Sequence, residues 1–120
     1  MKILVVDDSF TMRRIIKKHL YKIGFKDIIE ASDGEDALNK FSGVDLVLTD
    51  WNMPNINGIS FVKKIRSNSD YNNIKIIMVT TESSKAEVAE AIKYGVNNYV
   101  IKPFTHEILK EKIEQVVKKV

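Results

Sequence analysis

Short unbroken apolar runs alternate along the chain with stretches in which apolar residues recur every three or four positions. Ile3, Leu4, Val5 and Val6 form the first run, closed by Asp7; a strand apolar on both faces is one buried in a parallel sheet. Met12, Ile15, Ile16, Leu20 and Ile23 then share one helical face between Arg and Lys residues, and Gly24 supplies the stop. The same alternation predicts strands over residues 27–31, 45–49, 75–79 and 98–101, and helices over 35–41 and 59–66. Ser84 and Glu87 form a capping box that opens a helix running to Tyr94, with Gly95 ending it. Thr105 caps a last helix that lines up Ile108, Leu109, Ile113, Val116, Val117 and Val120 on one face.

Five strands alternating with five helices predict an α/β fold, a parallel sheet covered by helices on both faces. Right-handed crossovers point every strand the same way, so all strand C-termini lie along one edge, where ligands of such sheets bind. The order 2-1-3-4-5 is taken from the flavodoxin-like class of doubly wound sheets and is not read from the residues. It puts the second strand at a border and gathers the other four ends around the gap between strands one and three.

With that order, strand ends become chemistry. The first strand delivers Asp7 and Asp8, the third Asp50, the fourth Thr80 and the fifth Lys102 ahead of Pro103. The second ends in Glu30-Ala31-Ser32-Asp33, a helix-entry turn. Taken singly, Asp50 is an ordinary turn residue, Thr80 a hydroxyl that satisfies its own backbone, and Lys102 a solvated loop lysine. Their conjunction changes that. Carboxylates sharing a pocket repel and lose solvation, which raises the pKa of at least one unless a cation is present. Mg²⁺ suits such a pocket, since it takes oxygen ligands and keeps several waters beside one or two carboxylates and phosphate oxygens. A hydroxyl and an ammonium complete the needs of a phosphoryl group, so Asp50 can serve as a nucleophile toward phosphorus.

Composition narrows the classes. At 120 residues the chain is sized for one domain, and 44% hydrophobic with 29% charged residues is the balance of a globular protein. It has no cysteine, which excludes a disulfide framework and a thiolate metal site. No apolar run is long enough for a signal peptide or a membrane span, and a cytoplasmic location is expected. The net charge of +3 comes from dispersed basic residues, and the local group Arg13, Arg14, Lys17 and Lys18 is expected to be a solvated helix face. A nucleic-acid binder would concentrate its charge with a recognition element, so none is expected as a partner. His19 and His106 are assigned to no metal.

Val5-Val6-Asp7-Asp8-Ser9, Leu48-Thr49-Asp50-Trp51-Asn52-Met53-Pro54 with Gly58 following, Val79-Thr80-Thr81-Glu82 and Lys102-Pro103-Phe104 together resemble the receiver domain of two-component response regulators. The resemblance spans the chain and implies one receiver domain over residues 1–120. It implies Asp50 as phosphoacceptor, with Mg²⁺ held by Asp8, by Asp50, by the backbone carbonyl of Asn52, and by Asp7 through a coordinated water. Thr80 and Lys102 would grip the phosphoryl group, Lys102-Pro103 would be cis, and Tyr99 would pair with Thr80 in a switch, turning inward as the hydroxyl is drawn away. The resemblance makes the protein a phosphoacceptor that assists its own phosphorylation and dephosphorylation, and not an enzyme.

Implied partners are a histidine kinase as phosphodonor and, as a further possibility, a phosphatase. Because the sequence stops at Val120, output is expected through docking by a monomer. Within the family the chain is most similar to the chemotaxis regulators, which implies the flagellar motor switch protein as partner. The expected docking face joins the helix after Ser84, the last strand and the last helix, with Lys85, Val88, Tyr99 and Lys112 as contacts. Thr81 departs from the chemotaxis pattern, which favours a smaller residue there. A phosphorelay intermediate passing its phosphoryl group to another histidine protein is an alternative. A Mg²⁺-dependent aspartate-nucleophile phosphatase usually opens with an Asp-x-Asp motif, whereas these acids are adjacent. A flavodoxin-like electron carrier would need a hydroxyl-rich or glycine-rich phosphate loop where Asp7 and Asp8 stand.

Overall fold

The structure, a computed structural model, describes residues 1–117, so the Val120 position of the last apolar face lies outside the described residues. The elements run β1 (Ile3–Val6), α1 (Phe10–Ile23), β2 (Ile28–Ala31), α2 (Gly34–Lys40), β3 (Leu46–Thr49), α3 (Gly58–Arg66), β4 (Lys75–Thr80), α4 (Lys85–Lys93), β5 (Asn98–Ile101) and α5 (His106–Val116). A 3₁₀ turn, Ser69–Tyr71, precedes β4, where the apolar pattern predicts no element. The strands form one parallel sheet in the order β2-β1-β3-β4-β5.

Alternate residues of each strand feed two cores, as a sheet buried on both sides requires. Leu4, Val6, Val47, Ile76, Met78 and Tyr99 pack with Ala37 of α2, Phe61, Val62 and Ile65 of α3, and Ala91 of α4. Ile3, Val5, Leu46, Leu48, Ile77, Val79 and Val100 pack with Ile16 and Leu20 of α1 and Leu109 and Ile113 of α5. Helices α2, α3 and α4 therefore cover one face, and α1 and α5 the other. No helix among the described residues is long and apolar enough to cross a membrane.

Local chemistry sets the ends. Ser9 caps α1 by accepting the Met12 N–H, so the helix starts ahead of the first periodic residue, at Phe10. Gly24 stops it in the left-handed region at φ 119°, where its N–H reaches the carbonyls of Leu20 and Tyr21. The Ser84–Glu87 capping box is formed in both directions. β4 continues one residue beyond its predicted end, which makes Thr80 a buried strand residue.

Register then levels the strand ends. Val6 pairs with Thr49, so Asp7 and Asp50 each leave the sheet one step past the same line, on neighbouring strands. Gly58 returns the loop after β3, its N–H donating to the Trp51 carbonyl at 2.7 Å. A Cβ there would collide with the Asp50 carbonyl oxygen and stand 2.9 Å from Trp51 Cα, both backbone atoms that cannot swing aside. Gly58→Ala is accordingly expected to destabilise the protein by about 1–3 kcal/mol through overpacking. Urea unfolding checks this, and an unchanged midpoint would mean that the loop gives way freely.

Candidate functional site

Asp7 and Asp50 are joined by one cation. The Lys102 ammonium, delivered from the end of β5, donates to Asp7 Oδ2 at 2.7 Å and to Asp50 Oδ2 at 3.1 Å. The Lys102 side chain is 9% exposed and that of Asp7 2%, so the pair lies inside the protein and not on its rim. The remaining oxygens are held by backbone, Asp7 Oδ1 by the Ser9 N–H at 2.9 Å and Asp50 Oδ1 by the Trp51 N–H at 2.7 Å. Lys102 is itself fixed where its N–H donates to the Thr80 carbonyl at 2.9 Å. Lys102-Pro103 is cis, as expected.

Burial pushes the Asp7 carboxyl above the usual carboxylate range, against the opposing pull of Lys102 and the Ser9 N–H. Burial pulls the Lys102 ammonium down, but its hydrogen bond to Asp7 and the two carboxylate charges together leave it raised. The expected rise at one of the crowded acids is thus found at Asp7, where burial leads and the Asp50 charge adds to it, while the ammonium, expected to face phosphoryl oxygens, sits against the acids and supplies an internal counter-charge.

Oxygen atoms of Asp7, Asp8 and Asp50 lie within 4.8 Å of one another, one from each carboxylate. Asp8 is exposed, so the cluster opens to solvent on its side. An all-oxygen set of carboxylates with an open side fits a hard divalent cation that retains water, as Mg²⁺ does. Asn52 follows in the loop after β3, and its side-chain amide donates to Glu82 Oε1 at 2.7 Å. His19 and His106, assigned to no metal, have ring centroids 6.3 Å apart between α1 and α5.

Thr80 and Tyr99, the residues expected to form a switch, both bond to Glu82. Thr80 is fully buried, and its hydroxyl oxygen accepts the Glu82 N–H at 3.3 Å. Tyr99 is 8% exposed, its ring turned inward. Its ring belongs to the α4-side core, and its hydroxyl donates to the Glu82 carbonyl at 2.6 Å. The peptide groups flanking Glu82 thus link the two side chains.

The anticipated docking residues are unevenly placed. Lys85 is exposed, Val88 and Lys112 are half-buried, and Tyr99 offers little surface. The exposed apolar side chains there are Ile92 on α4, Ile101 at the end of the edge strand β5, and Ile108 on α5. Ile108, expected on the apolar face of the last helix with Leu109 and Ile113, is exposed while those two are buried, and Ile92 and Ile101 break no pattern that marks them. Arg13 was also misread. It is not simply solvated: it donates to the Asp7 carbonyl at 2.7 Å and to Glu30 Oε1 on β2 at 3.1 Å.

The match with known proteins agrees with this geometry. Residues 3–114 match the family described as the response regulator receiver domain, and the chain belongs to that family of two-component regulators. Within it the chain is of the chemotaxis type. It is 54% identical over 120 residues to the chemotaxis protein CheY1 of Helicobacter pylori, covering 98% of this chain and 97% of that one. It is 55% identical to a CheY homolog of Campylobacter jejuni, covering 98% and 92%. Among solved structures, the chemotaxis response regulator CheY4 of Vibrio cholerae superimposes with a TM-score of 0.88 at 35% identity, covering 97% of this chain and 98% of that one.

Burial, with the nearby Glu87, Glu82 and Asp50 charges adding to it, pushes the Tyr99 phenol up to about 12. A raised folded pKa means that this stabilisation is whole below the unfolded value and is lost as pH climbs through the folded one. Of the four tyrosines, one is expected to ionise near pH 12 in an absorbance titration, and Tyr99→Phe should remove that step. A tyrosinate transition lost at the ordinary pH near 10 would place the ring in water instead.

Proposed function

We propose that the chain is a phosphorylation switch of chemotaxis, a receiver domain over residues 1–120 that acts in the cytoplasm as a monomer. The observation that carries this reading is the meeting of the Asp7, Asp8 and Asp50 carboxylates with the buried Lys102 ammonium. A kinase phosphohistidine is the donor. One Asp50 oxygen forms a bond to phosphorus while the bond from phosphorus to the donor imidazole nitrogen breaks, leaving the imidazole with the electron pair. Asp7, Asp8, Asp50 and the Asn52 carbonyl would hold Mg²⁺, which when bound neutralises charge on the acids and the phosphoryl oxygens.

The protein's own groups do the rest. Once Asp50 carries an acyl phosphate, its oxygen is a weaker acceptor than a carboxylate oxygen, and the Lys102 ammonium turns to the phosphoryl oxygens. A phosphoryl group brings about 1.5 to 2 negative charges and strong acceptors, enough to draw the Thr80 hydroxyl toward it. Because Thr80 Oγ1 is bonded to the Glu82 N–H and Tyr99 to the Glu82 carbonyl, that movement reaches β5 through one residue. The result is a shift in how firmly the Tyr99 ring is held inward, a bias on an existing equilibrium.

The face built from α4, β5 and α5 then receives the partner, the flagellar motor switch protein. Ile92, Ile101 and Ile108 would supply apolar contact, with Lys85 and Lys112 suited to acidic residues on the partner and Val88 and Tyr99 forming the floor.

The test is incubation with Mg²⁺ and acetyl phosphate, read by intact mass. The protein should gain one base-labile phosphoryl group that Asp50→Asn does not gain, and equal labelling of that variant would assign another nucleophile. Thr80→Ala should still be labelled, yet lose most of the about 1–3 kcal/mol by which phosphorylation tightens a motor-switch peptide. Calorimetry with and without a beryllofluoride mimic reads that difference.

Lys102→Ala separates the internal cation from the external one. It removes a positive charge from the carboxylates, so Mg²⁺ should bind more tightly by about 1 kcal/mol, while the coupling between phosphorylation and partner affinity is lost. Weaker Mg²⁺ binding would instead make the lysine a support for the pocket's shape.

A further inference from the structure

Resting on the metal-site reading above, we infer that Arg13 is a positioning residue for the acid pair, operating from behind it and anchored on the strand that brings no group of its own to the pocket. The peptide between Asp7 and Asp8 is shared by both acids, so its orientation sets where each carboxylate points. That peptide's carbonyl oxygen accepts from Arg13 Nη1 at 2.7 Å. The other side of the same guanidinium donates through Nε to Glu30 Oε1 at 3.1 Å. Arg13 is one helical turn into α1, its own N–H bonded to the Ser9 carbonyl, so its stem rises from a fixed base.

Glu30 is fixed as an anchor by its place in β2, paired with Val5 of β1. Lys17 donates to its second oxygen at 3.1 Å, and Lys40 from α2 donates to its backbone carbonyl at 3.0 Å. Burial raises its pKa somewhat, but the bonds and charges of Lys17 and Arg13 outweigh that and leave it lowered. The Arg13 side chain is 14% exposed, well out of bulk water. A planar guanidinium presents its donors in a rigid fork, so a carbonyl and a carboxylate bound to its two sides are fixed relative to each other. An ammonium is a single point and fixes no such angle. The chain of contact runs from β2 through Glu30 and Arg13 to the Asp7–Asp8 peptide, and so to both acids. Groups behind metal ligands orient them in this way, and their loss typically weakens metal affinity by about 10- to 100-fold.

Charge and position make opposite predictions, which permits a clean test. Arg13→Gln removes a positive charge near an acidic pocket, so Coulomb attraction alone would tighten a cation; loss of positioning would loosen it. Arg13→Lys keeps the charge and removes the fork, so electrostatics alone predicts no change. Lys17→Gln serves as control, because Lys17 meets only the second oxygen of Glu30, does not touch Asp7, and its loss leaves Glu30 fixed by its place in β2 and by Arg13. A merely structural tie between α1 and β2 would make it behave like the Arg13 variants.

Mg²⁺ binding is measured by calorimetry on the whole chain, with urea midpoints to confirm folding and amide exchange of Asp8 and Ser9 in metal-free protein as a second readout. Arg13→Lys and Arg13→Gln are each expected to bind Mg²⁺ about tenfold more weakly, with faster exchange at Asp8 and Ser9, while Lys17→Gln keeps wild-type affinity and exchange. Affinity in Arg13→Lys equal to wild type, tighter binding in Arg13→Gln, or the same loss in Lys17→Gln would each overturn the positioning role and leave the metal site standing. Absence of Mg²⁺ binding in the wild type would overturn the metal-site reading, and this inference with it.

Discussion

The Lys102 ammonium lies where the buried Asp7 carboxylate and the half-buried Asp50 carboxylate would otherwise meet, and the architecture of this edge of the sheet depends on that contact. Removing a charge from water costs several kcal/mol even after relaxation, so a buried acid persists only when paired and hydrogen-bonded. Asp7 meets both conditions through Lys102 and the Ser9 N–H. The contact spans the sheet, since Asp7 follows β1, Asp50 follows β3 and Lys102 follows β5, with the Thr80 carbonyl of β4 accepting the Lys102 N–H. Four strand ends are thereby tied at one point. A cation that already belongs to the protein gives the pocket shape before any ligand arrives, and it makes the pocket sensitive to a charge change at Asp50.

That sensitivity matters because the same few atoms lie close to the route outward. Glu82 is reached from two directions, by Asn52 from the loop behind Asp50 and by Thr80 from the end of β4. Its carbonyl holds the Tyr99 hydroxyl. A displacement beginning at either loop arrives at one residue before it meets β5. Short hydrogen-bonded routes of this kind suit two-state behaviour, because a donor that loses its acceptor inside a protein must find another or stay unsatisfied.

The sequence was most legible where period and topology act together. Continuous apolar runs marked strands buried on both faces, and the crossover rule then placed Asp7, Asp8, Asp50, Thr80 and Lys102 on one edge without any knowledge of their contacts. What stayed hidden was what each side chain meets across a gap. A lysine at a strand end looks the same whether it faces water, phosphate or two acids, and only the packed structure puts Lys102 on Asp7 and Asp50. Tyr99 was placed on the correct strand, but whether its ring lay in or out turned on the Glu82 carbonyl, which belongs to an irregular loop. Arg13 sits in a basic run that reads as solvated, and only its position one turn beyond the Ser9 cap, facing back toward Asp7, could have hinted otherwise.

Three acids share the pocket, and the structure supports a choice among them as nucleophile. Asp7 is 2% exposed, so an incoming phosphorus has no approach to it. Asp8 is exposed, and a solvated carboxylate must shed water and be oriented before it can attack. Asp50 lies between these limits. Its side chain is 13% exposed, its Oδ1 is fixed by the Trp51 N–H, and its Oδ2 faces the Lys102 ammonium. Orientation by a backbone donor supplies the proximity term. A cation beside the reacting oxygen lowers that oxygen's nucleophilicity somewhat, but it stands where charge on the transferred group must be met, and stabilising that charge is usually the larger effect. Access combined with restraint therefore favours Asp50, on grounds independent of the motif around it.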